Sequence, residues 1–507
     1  MPSEPAAPSS NRSFFGHPVG LSTLFFTEMW ERFSYYGIRP LLVLFMSAAL
    51  LDGGFGFDRT TASAIVGIYA ACVYLASLPG GWIADRWLGL RRAIWYGGVL
   101  IALGHLSIAL SAIFAQSTFF LGLILIVAGT GLLKPNISAI VGDLYPEGGA
   151  RRDAGFSIFY MGINIGALAA PLLTGYLGER VGWHYGFGVA GVGMVLGLIT
   201  YKLRADRTLG TMGMQPSVGP EEQAKVKRYT MIGVGLLVAV VVAAMSGLFA
   251  INASAVAARM RDVMLAMAAF YFLYLFFFAG LTGDEKKRVG VIVVLFVFAT
   301  VFWSAFEQAP TSLNLFAQDF TDRMLFGWEV PILWLQSVNS LFVIAFAPIF
   351  GMVWVALGKR GLNPSSPAKF TFGLVFAGLG FLVMVSAAEK VIESGSAVRV
   401  SMMWLSVSYL FQTFGELALS PVGLSSMTKL APRKFVGQMM GVWFMAAALG
   451  NLIAGIVGGH VDPEQLDQMP LLFQRTAWSL FIAAAVLGAL IIPIRRMMRE
   501  SSAGDNH

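Results

Sequence analysis

The amino-acid sequence predicts an all-α membrane protein with fourteen transmembrane helices, on three observations. Of 507 residues, 57% are hydrophobic and only 12% charged, against ~25% charged in ordinary soluble domains, and the mean hydropathy is +0.71. Fourteen apolar stretches recur along the chain, each of roughly 20 residues or more and so able to cross a ~30 Å hydrocarbon core. The loops between them carry Lys and Arg unequally, with 24 on one side and 8 on the other. A three-to-one bias sustained along the whole chain is a positive-inside signal.

In order, the stretches lie near residues 21–50, 60–84, 93–115, 118–142, 155–177 and 185–203, then 230–251 and 262–281, and finally 290–317, 332–356, 369–388, 401–427, 435–459 and 473–494. Gly129, Gly131 and Pro135, Gly162 and Gly166, Pro348, and Gly415 and Pro421 fall inside them. Such residues would break a soluble helix, whereas membrane helices tolerate them and use small residues for close packing. Residues 1–17 are polar and rich in Pro and Ser, without the apolar core or cleavage site of a secretory signal. With the loop bias, this places both termini in the cytoplasm.

The one long polar interruption runs from Ala205 to Tyr229 and reads as a cytoplasmic linker. The two stretches after it hold almost no internal charge, which suits peripheral helices. Without them the chain has six plus six spans, as two halves on related plans would. The expected division is an N-terminal six-helix bundle over residues 1–205, linker and extra helices over 206–285, and a C-terminal six-helix bundle over 286–507.

The first span carries a polar stripe. Glu28, Glu31, Arg32, Tyr35, Tyr36 and Arg39 succeed one another at helical spacing on one side. A charge at membrane depth costs at least a few kcal/mol unless it faces a cavity or a partner. A self-neutralising Glu28–Arg32 pair would still leave Glu31 and Arg39 over. The stripe therefore lines a polar pathway.

Further charges follow. Gly80–Arg92 ends the second span with Asp85 beside an Arg cluster, which could form a cytoplasmic ion-pair latch, and it resembles the loop signature of the major facilitator superfamily with one extra residue. Lys134, in Gly129–Ser138, lies far from both ends of its span and needs an acid or an anion from elsewhere. Tyr160 and Asn164 share a helix face, where Asn164 could equally bond a neighbouring helix. Glu307 and Glu416 are isolated membrane carboxylates, each either protonated or paired. Cations in the first half (Arg32, Arg39, Lys134) and carboxylates in the second suggest a cavity with opposed walls, suited to a dipolar ligand.

Other chemistries find no support. Single Cys72 excludes a disulfide framework, and the five His residues are scattered, with no HExxH. No nucleophile elbow or phosphate-cradling loop is present, and the basic residues lack the aromatic interleaving of a nucleic-acid surface. No metal, cofactor or nucleic-acid partner is expected.

Four motifs in order, ExxERFxYYG at Glu28–Gly37, GxGxxKPNxS at Gly129–Ser138, FYxxINxG at Phe159–Gly166 and ELxLSPxGLSxxTKLAP at Glu416–Pro432, resemble the proton-coupled oligopeptide transporter family. The resemblance spans both halves, and the extra pair of helices is similar to its bacterial branch. It implies a major facilitator fold in the inner membrane, working as a monomer, that imports di- and tripeptides with protons and is not an enzyme. Arg32 and Lys134 would then attract the peptide carboxylate, and Glu416 and Asn164 the amino terminus. Tyr35, Tyr36, Tyr74, Tyr160, Trp303 and Trp443 would line side-chain pockets, with Asn339 and Ser420 also at the substrate site. Glu28, Glu31 and Glu307, with Arg32 and Lys134, would serve proton coupling. One departure is Ser340, where the family commonly has Pro after the substrate-contacting Asn.

The implied mechanism is alternating access. Protonating Glu307 would release Lys134, or Arg32 would leave the Glu28/Glu31 pair, freeing a cation for the peptide carboxylate. A same-fold carrier for another anion such as nitrate would use the cationic wall but not Glu416. A membrane-embedded hydrolase using Glu307 and Glu416 would lack a metal set or nucleophile.

Overall fold

The computed structural model of the chain describes residues 13–504 except 115, 148, 249–250, 363, 395–397, 462–465 and 467. The expected cytoplasmic ends, residues 1–12 and 505–507, lie outside the described residues. Fourteen long helices account for most of the rest. They are α1 (Val19–Ser47), α2 (Arg59–Ile83), α3 (Leu90–Leu110), α4 (Gln116–Asp143), α5 (Gly149–Arg180), α6 (Trp183–Leu209), α7 (Pro220–Met245), α8 (Ala253–Phe277) and α9 (Gly283–Phe306), then, beyond the short α10 (Asn314–Asp319), α11 (Trp334–Lys359), α12 (Ser366–Glu393), α13 (Met403–Leu430), α14 (Val436–Gly458) and α15 (Gln468–Gly504). Among the described residues, twelve spans are long and apolar enough to cross a membrane by length and composition. α1 is equally long but holds the charged stripe, and α13 holds Glu416 and Lys429.

Among the described residues, strands are confined to two-residue pairs: β1 (Ser13–Phe14) with β2 (His17–Pro18), β3 (Thr321–Asp322) with β6 (Val400–Ser401), and β4 (Met324–Leu325) with β5 (Trp328–Glu329). A π-helical turn, Ala84–Leu88, extends α2 and ends at Gly89, whose φ of 78° stops it. A second, Ala309–Leu313, joins α9 to α10.

The chain forms two compact units, residues 1–38 with 75–251 and residues 39–74 with 252–507. α1 and α2 each contribute to both. In the first unit α3 packs on α4 through reciprocal glycines. A Cβ at Gly97 would meet the Gly129 carbonyl at 2.6 Å, and one at Gly104 would meet the Gly122 carbonyl at 2.7 Å. With seven residues between the glycines on each helix, the backbones approach as only glycine allows. α7 buries only Val226 along its length. From Met231 to Met245 the helix is apolar on every side, and a segment covered by so little protein is built for lipid contact.

The linker is shorter than the sequence suggests. α6 continues to Leu209 and α7 starts at Pro220, leaving residues 210–219 as the turn. Pro220 suits the first helical position, Glu221 and Glu222 suit the positive helix end, and Lys225 pairs with Glu221 at 2.8 Å. In the second unit α8 buries Ala257, Met264, Ala268, Phe272 and Leu275 along one stripe and packs on α9 and α14. α9 also meets α13 and α15, and α12 lies between α13 and α15.

Gly129→Leu is expected to lower the melting temperature of the detergent-solubilised protein, at a cost of about 1–3 kcal/mol from overpacking. Gly233→Leu on α7 has open space around it and should leave the melting temperature within about 1 °C of the parent. Equal melting temperatures for the two variants would refute the close α3–α4 approach.

Candidate functional site

The charged stripe of α1 is split between the two units. In the first, Glu28, Glu31 and Arg32 are each no more than 2% exposed. Arg32 Nε lies 3.3 Å from Glu28 Oε1, and its guanidinium also pairs with Glu31. From α4, the Thr130 hydroxyl donates to Glu31 Oε1 at 3.4 Å, and the Lys134 ammonium acts electrostatically on Glu28. Two carboxylates thus face two cations, and the group balances. The Arg32 guanidinium also lies 5.1 Å from the centroid of the Tyr35 ring, a cation–π distance.

Tyr35 is buried and meets the half-buried Tyr36 edge to face at 5.2 Å. On α5, Tyr160 is 45% exposed. Asn164 donates through Nδ2 to the Tyr160 carbonyl at 3.0 Å. That bond lies within its own helix rather than across to a neighbour. Gly162 and Gly166 bring α5 against Phe25 and Met29 of α1, so Tyr160 and Asn164 flank the α1 cluster.

In the second unit Arg39 ion-pairs with Glu307, and its Nη2 donates to Asn451 Oδ1 at 2.8 Å. Arg39 is 7% exposed, Glu307 6% and Asn451 2%, so this is a buried pair with a neutral acceptor completing it. Asn451 is held by its own Nδ2 bond to the Ala447 carbonyl at 2.9 Å. The sequence left Arg39 without a partner, read Glu307 as isolated or as the acid that holds Lys134, and gave no weight to Asn451; Glu307 instead pairs with Arg39, and Lys134 acts on Glu28. The signal available was that a mid-span Arg must meet an acid from another helix.

Glu416 is placed differently. Asn339 Nδ2 donates to Thr413 Oγ1 at 2.9 Å and reaches Glu416 Oε2 at 3.5 Å. Among the described residues no Lys or Arg lies within ion-pair distance of Glu416, although Glu307 acts on it electrostatically. α11 runs unbroken through Asn339 and Ser340, so Ser340 leaves the helix intact where Pro would have interrupted a backbone bond. Trp303 packs edge to face on Phe306 at 5.4 Å, and its buried Nε1 has no hydrogen-bond acceptor. Trp443 is buried between Phe370 and the bare backbone of Gly423. Ser420 and Tyr74 are half-buried, on α13 and α2.

The Arg cluster after α2 does form ion pairs, with acids other than the one expected. Arg86 pairs with Glu222 and Arg91 with Asp206, while the Asp85 carbonyl accepts from Ser217 N and Oγ.

A family model described as the POT family matches residues 91–479. The chain is 52% identical over 496 residues to the peptide transporter YePEPT of Yersinia enterocolitica subsp. palearctica, covering 97% of each chain. The chain belongs to the POT family. A di-/tripeptide transporter of Lactococcus lactis subsp. cremoris is 39% identical to this POT chain over 457 residues, covering 88% of it and 90% of the relative. A crystal structure of a POT family transporter in complex with a thioalcohol-conjugated peptide superposes with a TM-score of 0.86 at 36% identity, covering 95% of this chain and 98% of that one. The POT chain is thus a multi-pass membrane transporter and not an enzyme, with the major facilitator fold.

Both acids a hydrolase would need are engaged, Glu307 by Arg39 and Glu416 by Asn339. If Arg39 and Glu307 are coupled, Arg39→Met alone strands a buried carboxylate, at a cost of about 3–5 kcal/mol. Adding Glu307→Gln should recover at least half of the lost melting temperature. A double variant no more stable than Arg39→Met would show that the pair is not coupled.

Proposed function

We propose that this chain is a symporter that imports di- and tripeptides with protons across the cytoplasmic membrane, by alternating access and as a monomer. Both termini would lie in the cytoplasm, with six-helix bundles over residues 1–205 and 286–507. The relatives named as peptide and di-/tripeptide transporters support the substrate class.

The observation that carries the mechanism is that the second unit's membrane carboxylates are of two kinds. Glu307 has a cation and, among the described residues, Glu416 has none within ion-pair distance. A carboxylate paired with a buried Arg loses its partner when a proton neutralises it, which suits Glu307 to proton coupling. A carboxylate with no cation of its own lacks a counter-charge that a ligand ammonium can supply, which suits Glu416 to the peptide amino terminus. In the first unit Arg32 and Lys134 are balanced by Glu28 and Glu31, so protonating either acid would free positive charge for the peptide carboxylate. Proton and peptide would then favour the same state, as coupling requires. Tyr35, Tyr36, Tyr74, Tyr160, Asn164, Trp303, Asn339, Ser420 and Trp443 would form the substrate surface.

The first test is uptake of labelled dialanine by proteoliposomes, with and without an inward proton gradient. Gradient-dependent accumulation that di- and tripeptides inhibit, while free alanine, a tetrapeptide and nitrate do not, is the expected result. Accumulation that nitrate inhibits would move the assignment to an anion carrier. Glu307→Gln should abolish gradient-driven accumulation while leaving peptide exchange intact, and normal accumulation by this variant would exclude Glu307 from coupling. Glu416→Ala should weaken dipeptide binding roughly tenfold or more, since a hydrogen bond to a charged group is worth ~1.5–3 kcal/mol. Unchanged affinity in calorimetry would remove Glu416 from the site.

A further inference from the structure

Two cavities open at the end of the first unit where the basic loops gather, and their charges differ. The larger, about 630 Å³, is lined by Trp82, Arg86, Glu221, Glu222, Lys225 and Tyr229. Its two cations are matched by its two acids in the Arg86–Glu222 and Lys225–Glu221 pairs. The smaller, about 180 Å³, is lined by Arg91, Arg92, Trp95, Tyr96, Lys202 and Asp206, among others. Arg91 is buried and committed, to Asp206 and to the Gly210 carbonyl at 2.6 Å. That leaves Arg92 and Lys202, both exposed, as surplus positive charge on opposite helices. Lys202 Nζ lies 5.4 Å from the Trp95 ring centroid, so the ammonium is held over an aromatic face at the rim.

The surfaces leading away from this cavity are apolar. α3 exposes Tyr96, Leu103, Leu106 and Leu110 at spacings of seven, three and four, which is one helix face. α6, which packs on α3, exposes Val192, Val195, Leu196, Ile199 and Leu203 in the same way. A cationic, aromatic-rimmed pocket at the end of two lipid-facing stripes matches one kind of partner in both charge and polarity. We propose that the α3–α6 cavity is a binding site for an anionic phospholipid, with the headgroup phosphate on Arg92 and Lys202, the glycerol region against Trp95 and Tyr96, and the acyl chains along the exposed stripes. The neutral cavity beside it serves as the internal contrast, because its cations are already spent on Glu221 and Glu222.

The test is native mass spectrometry of the full-length protein in detergent, titrated separately with phosphatidylglycerol and phosphatidylethanolamine. The parent should retain phosphatidylglycerol in preference. Arg92→Ala with Lys202→Ala should weaken that binding about 30-fold, from about 1 kcal/mol per basic residue at ~1.4 kcal/mol per decade. Lys225→Ala, in the neutral cavity, should bind as the parent does. Arg92→Gln and Lys202→Gln singly, each expected to lose about fivefold on the same scale, carry the test if the double variant unfolds. Parent-like phosphatidylglycerol binding by the substituted proteins would overturn the site. So would equal retention of phosphatidylethanolamine by the parent, which would show apolar contact alone, or displacement of the lipid by millimolar inorganic phosphate, which would show a small-anion site. Lipid binding is read without transport, so failure of this proposal is distinguishable from failure of the transport assignment.

Discussion

The structure depends on the cost of placing charge inside an apolar helix. α1 carries Glu28, Glu31, Arg32 and Arg39 at membrane depth, each nearly inaccessible. An unpaired charge at such a site costs several kcal/mol, comparable to the whole stability of many domains. The partners are therefore specified along with the charges. In the first unit Thr130 and Lys134 on α4 serve the Glu28–Glu31–Arg32 group. In the second, Glu307 after α9 and Asn451 on α14 serve Arg39. One helix thus supplies charges to both units.

That constraint explains why the packing elsewhere is so economical. Helices in lipid gain little from burying apolar side chains against one another, since lipid is equally apolar. Close backbone approach has to hold them instead, and the Gly97–Gly129 and Gly104–Gly122 contacts supply it for α3 and α4. Where there is no such approach, as along α7, side chains are left to the bilayer.

Much of this was legible in the sequence because membrane burial makes hydropathy and charge unusually informative. The fourteen helices, α1 included, follow from length and apolarity, and the stripe on α1 marks it as the charged one. What the sequence could not supply was pairing across the chain. Arg39 is 268 residues from Glu307 and 412 from Asn451, and no periodicity relates them. Asn451 lies outside the four motifs and so drew no attention, although a buried amide also needs a partner and it has two, Arg39 and the Ala447 carbonyl. The Ala205–Tyr229 segment was misread because polar composition indicates water, not loop. Pro220, Glu221 and Glu222 are polar residues that begin a helix well. Asp85 is the nearest acid to the Arg cluster in sequence, yet Glu222 on α7 and Asp206 on α6 take those pairs, again across the chain.

The unequal surroundings of Glu307 and Glu416 bear on how one unit could serve both a proton and a peptide. Two like carboxylates with equal partners would differ in nothing that assigns one to the proton and the other to the peptide. On the proposed reading, giving Glu307 an Arg and Glu416 the neutral Asn339 would separate their roles by environment alone, with the same chemical group in both. The electrostatic influence of Glu307 on Glu416 then links them. Neutralising Glu307 removes a negative neighbour from Glu416 and frees Arg39, and each change alters what the site offers a dipolar ligand. By reciprocity, a ligand that engages the site must alter proton affinity by the same factor. Coupling of this kind needs no long-range wire, only two acids within electrostatic reach and one cation shared between states.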